Sequence, residues 1–175
     1  MTDDSTSSLR ALAHPVRLQI LSLLTGAEMS AAEIARELEI THANASYHVR
    51  VLAAAGELVE AGEEKIRGGV AKKYRHPWDA HGLASPPASA ADRHLYIRAV
   101  AEEMVRRFGL RKPGGNNRLT DAEMWVTPAV WDEVSALVEQ ASELIHAEAK
   151  PPRTEGTVHV NMTASMFEMT EGARG

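Results

Sequence analysis

No cysteine occurs in the 175 residues, which excludes disulfides, thiolate metal centres and dithiol redox switches. No apolar run approaches the roughly 20 residues needed to span a bilayer as a helix. The first residues, MTDDSTSS, are acidic and polar, the wrong chemistry for a signal or transit peptide. A cytoplasmic protein without membrane contact is expected. Also missing are a phosphate-cradling glycine motif, a nucleophile elbow and any spacing that gathers the serines and histidines into a catalytic set. The chain is therefore not expected to be an enzyme, and nothing in it calls for a cofactor. What is present is 44% hydrophobic residues, enough for one comfortable domain or two small ones, and a formal net charge of −5.

The densest signals lie between Ser30 and Arg75. Ser30 and Glu33 form an S-x-x-E capping box, followed by Ile34 and Leu38 on one helical face. Ile40 enters a turn, Thr41 is an N-cap for a second helix, and Gly56 supplies the left-handed residue that ends it. Ala45, Val49 and Leu52 share one face of that helix, leaving Ala43, Tyr47, Arg50 and Ala54 outward with Asn44, Ser46 and His48 on the flanks. An outer face that is small, aromatic and cationic suits the major groove. There amide and guanidinium groups read base edges, while hydroxyl, phenol or imidazole groups hold phosphates.

A hairpin follows. Leu58 and Val59 begin a strand, Gly68-Gly69 marks the tip, and Val70 to Arg75 returns. From Lys65 to His76 the chain carries Lys65, Arg67, Lys72, Lys73 and Arg75 and no acid, a local positive footprint on an acidic protein. Two short helices followed by a basic hairpin read as a winged helix-turn-helix. Its candidate DNA contacts are Thr41, His42, Ala43, Asn44, Ser46, Tyr47, His48, Arg50, Lys65, Arg67, Lys72 and Lys73. Upstream, Leu9 to Leu24 has helical apolar spacing divided by Pro15, and Arg17 is a candidate partner for a phosphate or for Glu57.

LRALAHPVRLQILSLL and ASYHVRVLAAAGELVE, within a stretch from about Ser8 to His76, resemble the ArsR-type winged helix regulators, dimeric bacterial transcription factors. The resemblance implies a homodimer on double-stranded DNA, with Ser46, Tyr47, His48 and Arg50 on the recognition helix and Arg67 in the wing. The thiolate sites of many such proteins cannot exist here. A histidine and carboxylate metal site on a C-terminal helix has only a first half, Asp92-x-His94, and His146 with Glu148 lies in another segment. Two ligands without partners do not make a four-coordinate site, so no metal is expected.

Past the wing, His76 to Asp92 is rich in proline, alanine and glycine and reads as a linker. Asp92 is then expected to cap a helix whose Ile97, Val100, Ala101, Met104, Val105 and Phe108 share a face, stopping at Gly109. Ala122 to Val126 alternates as a short strand, and Thr127-Pro128 opens a helix with an apolar stripe from Val130 to Ile145. Val158, Val160, Met162, Ala164 and Met166 alternate as a second strand. The expected architecture is mainly α with a small β component. Residues 1–80 form the winged helix-turn-helix, 81–91 a linker, and 92–175 a helix-strand-helix-strand dimerisation domain. Met124, Trp125, Trp131, Met162, Met166 and Phe167 are candidates to line a pocket for a small apolar effector. The expected function is a homodimeric, sequence-specific regulator, a repressor by preference. A metal- or ligand-responsive variant of the same fold and a winged-helix interaction module are the alternatives.

Overall fold

In the computed structural model, which describes residues 8–81 and 88–170, Pro15 divides the first apolar run into α1 (Ser8–Leu12) and α2 (Pro15–Thr25). Proline is tolerated there because a first-turn amide has no intrahelical partner. The His14 ring caps the second helix, accepting the Val16 amide at 3.2 Å. A two-residue strand, β1 (Met29–Ser30), leads into α3 (Ala31–Glu37). The capping box is complete, with the Glu33 amide 3.4 Å from Ser30 Oγ and the Ser30 amide donating to Glu33 Oε2 at 2.7 Å. That backbone bond from Ser30 holds the Glu33 carboxyl below the usual carboxylate range.

The chain turns through Glu39, whose φ of 55° lies in the left-handed region, and enters α4 (His42–Ala54). Thr41 Oγ1 caps it by accepting the Asn44 amide at 3.2 Å. Gly56, at φ 79°, follows the last turn, where a β-carbon would be strained. Ile20, Leu24, Ile34, Ala45, Val49, Leu52 and Leu58 form one core. Each fully buried Leu, Ile or Val there contributes about 1.5–3 kcal/mol, so this packing sets the angle between α3 and α4.

The wing consists of β2 (Val59–Ile66) and β3 (Gly69–Arg75), antiparallel, with β3 central in the order β1-β3-β2. A register shift between Glu60 and Gly62 bends β2. The wing is rooted at His76, whose amide donates to Leu24 O at 3.0 Å and whose Nδ1 lies 2.9 Å from Glu57 O.

The C-terminal half departs from expectation. Trp78–His81 forms a short helix, α5, inside the expected linker, and residues 82–87 of that linker lie outside the described residues. α6 (Ala90–Gly109) is capped by Ser89, which accepts the Asp92 amide at 3.0 Å, so Asp92 is not the cap. The expected cap of α7 (Pro128–Ala147) forms, Thr127 Oγ1 accepting the Val130 amide at 3.4 Å. Neither expected strand forms: Ala122 to Val126 and Val158 to Met166 join no ladder among the described residues. The expected helix-strand-helix-strand unit is thus two helices with irregular segments between and after them. Alternation specifies two-faced side chains, but a strand also needs a backbone partner.

α6 also turns the other way round. Ala99 and Glu103 are buried, with Tyr96 and Arg107 partly covered beside them, on the side packed against α1 and α2, whereas Ile97, Met104, Val105 and Phe108 are exposed. Glu103 accepts from Gln19 Nε2 at 2.6 Å, Arg106 Nη2 at 2.9 Å and Arg107 Nε at 3.2 Å. Burial pushes this carboxyl up, but the hydrogen bonds from Arg106 and Gln19 outweigh it and hold the group below its ordinary value.

Glu39 generates the first prediction. A non-glycine residue in the left-handed region costs about 1–2 kcal/mol, part of which glycine returns as entropy of the unfolded chain. Glu39→Gly should raise stability by about 1 kcal/mol in urea unfolding. A loss of stability would show that the Glu39 side chain holds the turn by contacts that outweigh its backbone strain.

Candidate nucleic-acid interface

α4 is anchored on one side and open on the other. Ala45, Val49 and Leu52 are buried, while Ala43, Tyr47, Arg50 and Ala54 are exposed, Tyr47 by 54%. Thr41, His42, Ala43 and Asn44 form an exposed first turn, where small side chains leave room for close approach. Ser46 Oγ lies 3.5 Å from His42 Nε2, and Arg50 Nε donates to Ser46 O at 3.2 Å. That bond lays the guanidinium along the helix surface, from which it can swing to a base or phosphate.

His48 is a correction. It was expected on an outer flank, yet it is only 4% exposed, its Nδ1 has no hydrogen-bond partner, and its ring sits 4.6 Å from that of His14 and 5.1 Å from that of Tyr47. Residues 45, 48, 49 and 52 together make the i, i+3, i+4, i+7 stripe of a packed helix, so the spacing itself placed His48 inside. Its direct role is to seat α4 on α2 and to support the Tyr47 ring. Burial, then the charges of His14 and Arg17, lower its pKa from the usual 6.5 to about 4. His14 is lowered as well, first by burial and then by Arg17.

Arg17 does not meet Glu57. That carboxylate accepts from Ser8 Oγ, while Arg17 Nη2 reaches Arg10 O at 3.5 Å and its buried Nε has no partner. Burial lowers the Arg17 pKa, and the neighbouring Tyr47 opposes that shift.

The wing is less positive than its own sequence suggests. The hairpin register sets Glu63 opposite Lys72 and Glu64 opposite Ala71. Lys72 Nζ binds Glu60 Oε1 at 2.7 Å, and Lys73 Nζ lies 3.1 Å from Glu64 Oε2 and 3.8 Å from Glu33 Oε1. The hydrogen bonds that Lys72 and Lys73 donate to Glu60 and Glu64 respectively raise the pKa of each lysine. Among the described residues, Lys65 and Arg67 near the tip have no ion-pair partner and are exposed. The expectation of a basic ribbon is corrected: Lys72 and Lys73 in mid-stem are neutralised, while Lys65 and Arg67 near the tip and the exposed Arg75 at the root keep available charge. The acids of β2, EAGEE, were the readable signal, because a two-stranded hairpin brings them beside AKK of the return strand.

The expected effector-pocket residues do not enclose a space: Met124, Trp125, Met162 and Phe167 are exposed and Trp131 and Met166 partly so. A cleft of about 710 Å³ lies elsewhere, lined by Trp78, Asp79, Glu143, Leu144 and His146 among others. The rings of Trp78 and His146 approach to 5.5 Å there, tilted by 38°.

Residues 12–60 match the family model of a helix-turn-helix domain. That span runs from the end of α1 through α4 into β2, so it contains the reading helix but little of the wing and nothing from α5 onward. No curated protein matches the chain.

The buried His14–His48 pair gives a pH dependence with a definite sign. Because His48 holds its proton less tightly folded than unfolded, its neutral form is favoured by folding, and no stability is lost above pH 6.5. As pH falls from about 6.5 to about 4 the unfolded chain takes up a proton that the fold refuses, and stability declines. His48→Leu should flatten this limb in urea titrations between pH 7 and 4. An unchanged slope would assign the acid sensitivity to other groups.

Proposed function

We propose that the protein is a homodimeric, sequence-specific DNA-binding transcriptional regulator, not an enzyme, acting in the cytoplasm on a pseudo-palindromic operator and repressing by occupying it. One observation carries the reading: α4 is fixed to the core by Ala45, His48, Val49 and Leu52 while Tyr47 and Arg50 project from its exposed side. The helix-turn-helix match over residues 12–60 supports it, and the resemblance to ArsR-type proteins extends it to the wing. A single reading helix spans too few base pairs for genomic specificity, whereas two half-sites about one helical turn apart multiply it.

The metal-responsive alternative loses ground to the geometry. Asp92 approaches Arg10 at 4.0 Å, and the His146 ring lies 5.5 Å from that of Trp78, so a metal would have to displace contacts that both residues already make. The interaction-module alternative gains from the neutralised wing stem and is separated by DNA binding itself. Selection of bound sequences from a random duplex library by the purified chain should return paired half-sites. Recovery of no enriched sequence, with no gel shift on random DNA, would favour the interaction module.

Substitutions on the interface should divide into two classes. Tyr47→Ala and Arg50→Ala should each weaken operator binding by about 1–3 kcal/mol without unfolding the head. Arg67→Ala should weaken operator and random DNA alike and reduce the log-log salt slope by about one. Lys72→Ala should have a smaller effect on both, because Glu60 already neutralises that ammonium. Equal losses for Arg67→Ala and Lys72→Ala would show that DNA breaks the stem ion pairs.

A further inference from the structure

α7 carries an apolar seam that its own chain leaves uncovered. Val130, Val134, Leu137, Ala141 and Leu144 recur alternately four and three residues apart, the spacing by which one helix packs along another. None of the helix's residues is buried, and Leu137 and Leu144 are 57% and 66% exposed. α6 presents a seam of the same spacing, Ile97, Ala101, Met104 and Phe108, also exposed. The polar side of α6 is occupied by α1 and α2, so its seam is the side left for a partner.

We infer that α7 of one protomer packs along the outward seam of α6 in a second copy, so that the dimer is closed by two reciprocal α6–α7 contacts. This deepens the homodimer in the reading above and rests on it. Charge selects the pairing. α7 contains Asp132, Glu133, Glu139 and Glu143 and no lysine or arginine, whereas α6 contains Arg93, Arg98, Arg106 and Arg107 against three acids. Arg106 and Arg107 are bonded to the buried Glu103, so Arg98 is the cation beside the seam. Glu133 flanks the α7 seam and Arg98 the α6 seam. Packing α7 on its own copy would oppose acid to acid, while α7 on α6 joins opposite charges.

Surface area points the same way. The 19.0 kDa chain exposes 13347 Å², against about 8,400 Å² for a compact folded monomer of that mass. Removing the residues outside the described range at full extended-chain area still leaves an excess of about 2,700 Å². Obligate homodimers bury roughly 2,000–5,000 Å² in total. The irregular segments 110–127 and 148–170 account for part of the excess and the exposed seams of α6 and α7 for another part, so the chain has surface enough for an interface of that class.

The absence of native cysteine makes the pairing directly readable. Full-length Met104→Cys and Leu137→Cys chains, carrying tags of different mass, are mixed, oxidised and separated without reductant, beside sedimentation of the wild type at micromolar concentration. The wild type should sediment as a dimer, and the mixed chains should give a heterotypic cross-link exceeding either homotypic one at least fivefold. In the same assay Glu133→Arg and Arg98→Glu should each raise the dimer dissociation constant severalfold, and the two together should restore it. A monomeric wild type, dominant Leu137→Cys homodimers, or, for a chain carrying both Met104→Cys and Leu137→Cys, cross-linking only within that chain would each overturn the pairing. Gel shifts on the same samples separate the two readings. A cross-linked dimer that ignores DNA refutes the regulator and leaves the interface standing, and a DNA-binding monomer does the reverse.

Discussion

The packing of Ala45, Val49 and Leu52 against Ile20, Leu24 and Ile34 is the contact on which the rest of the head depends. It fixes the rotation of α4 about its own axis, and that rotation alone decides which side chains face solvent. A turn of the helix by one residue, about 100°, would bury Tyr47 or expose His48. The small Ala45 at the crossing allows α3 and α4 close approach, and the capping box at Ser30 and the cap at Thr41 set where each helix begins. Local caps define the lengths of the two helices, while the core defines their angle.

Electrostatics in the wing follow from register as much as from composition. Five cations in eleven residues read as a binding ribbon, but in a hairpin the neighbours of a side chain lie across the ladder as well as along the chain. Glu60 and Glu64 take up Lys72 and Lys73, which are exposed pairs worth little to stability but sufficient to bias where an incoming phosphate finds an unengaged charge. The field that remains comes from Lys65 and Arg67 near the tip and Arg75 at the root. In the proposed regulator, a wing organised this way would meet DNA through its unpaired cations, with the mid-stem lysines held by their own acids.

The head was legible in the sequence because its determinants are local. The S-x-x-E box, Thr41, Gly56 and Pro15 each act within a few residues and fall where the sequence places them. The hairpin tip is Arg67-Gly68, one residue before the expected Gly68-Gly69, since Gly69 already pairs with Ile66 in β3. His48 was misplaced through reading the outer face by residue type, although the i, i+3, i+4, i+7 stripe already contained it. The pairing of Lys72 and Lys73 needed the hairpin register. Asp92 lost the cap to Ser89 because both are good capping residues and the alanine pair between them, Ala90-Ala91, extends the helix backwards at no cost. The alternating segments 122–126 and 158–166 were read as strands from side-chain pattern alone, which is silent about the backbone partner.

The buried side of α6 explains why its apolar side is available. Helices usually bury their apolar stripe and leave ion pairs outside, yet here Glu103, 2% exposed, meets Gln19, Arg106 and Arg107, and Arg107 continues to Ser22 Oγ at 3.3 Å and Asn161 Oδ1 at 3.2 Å. A buried charge network of this kind adds little net stability over an apolar contact, but removing one member leaves an uncompensated charge. It therefore specifies one seating of α6 on α2 rather than maximising attraction. An apolar stripe turned inward would have bound the head through surface that could slide. The polar contact instead fixes α6 in register with the N-terminal head and holds the seam of Ile97, Met104 and Phe108 at a defined orientation to α4, which in the proposed dimer would set the separation of the two α4 helices.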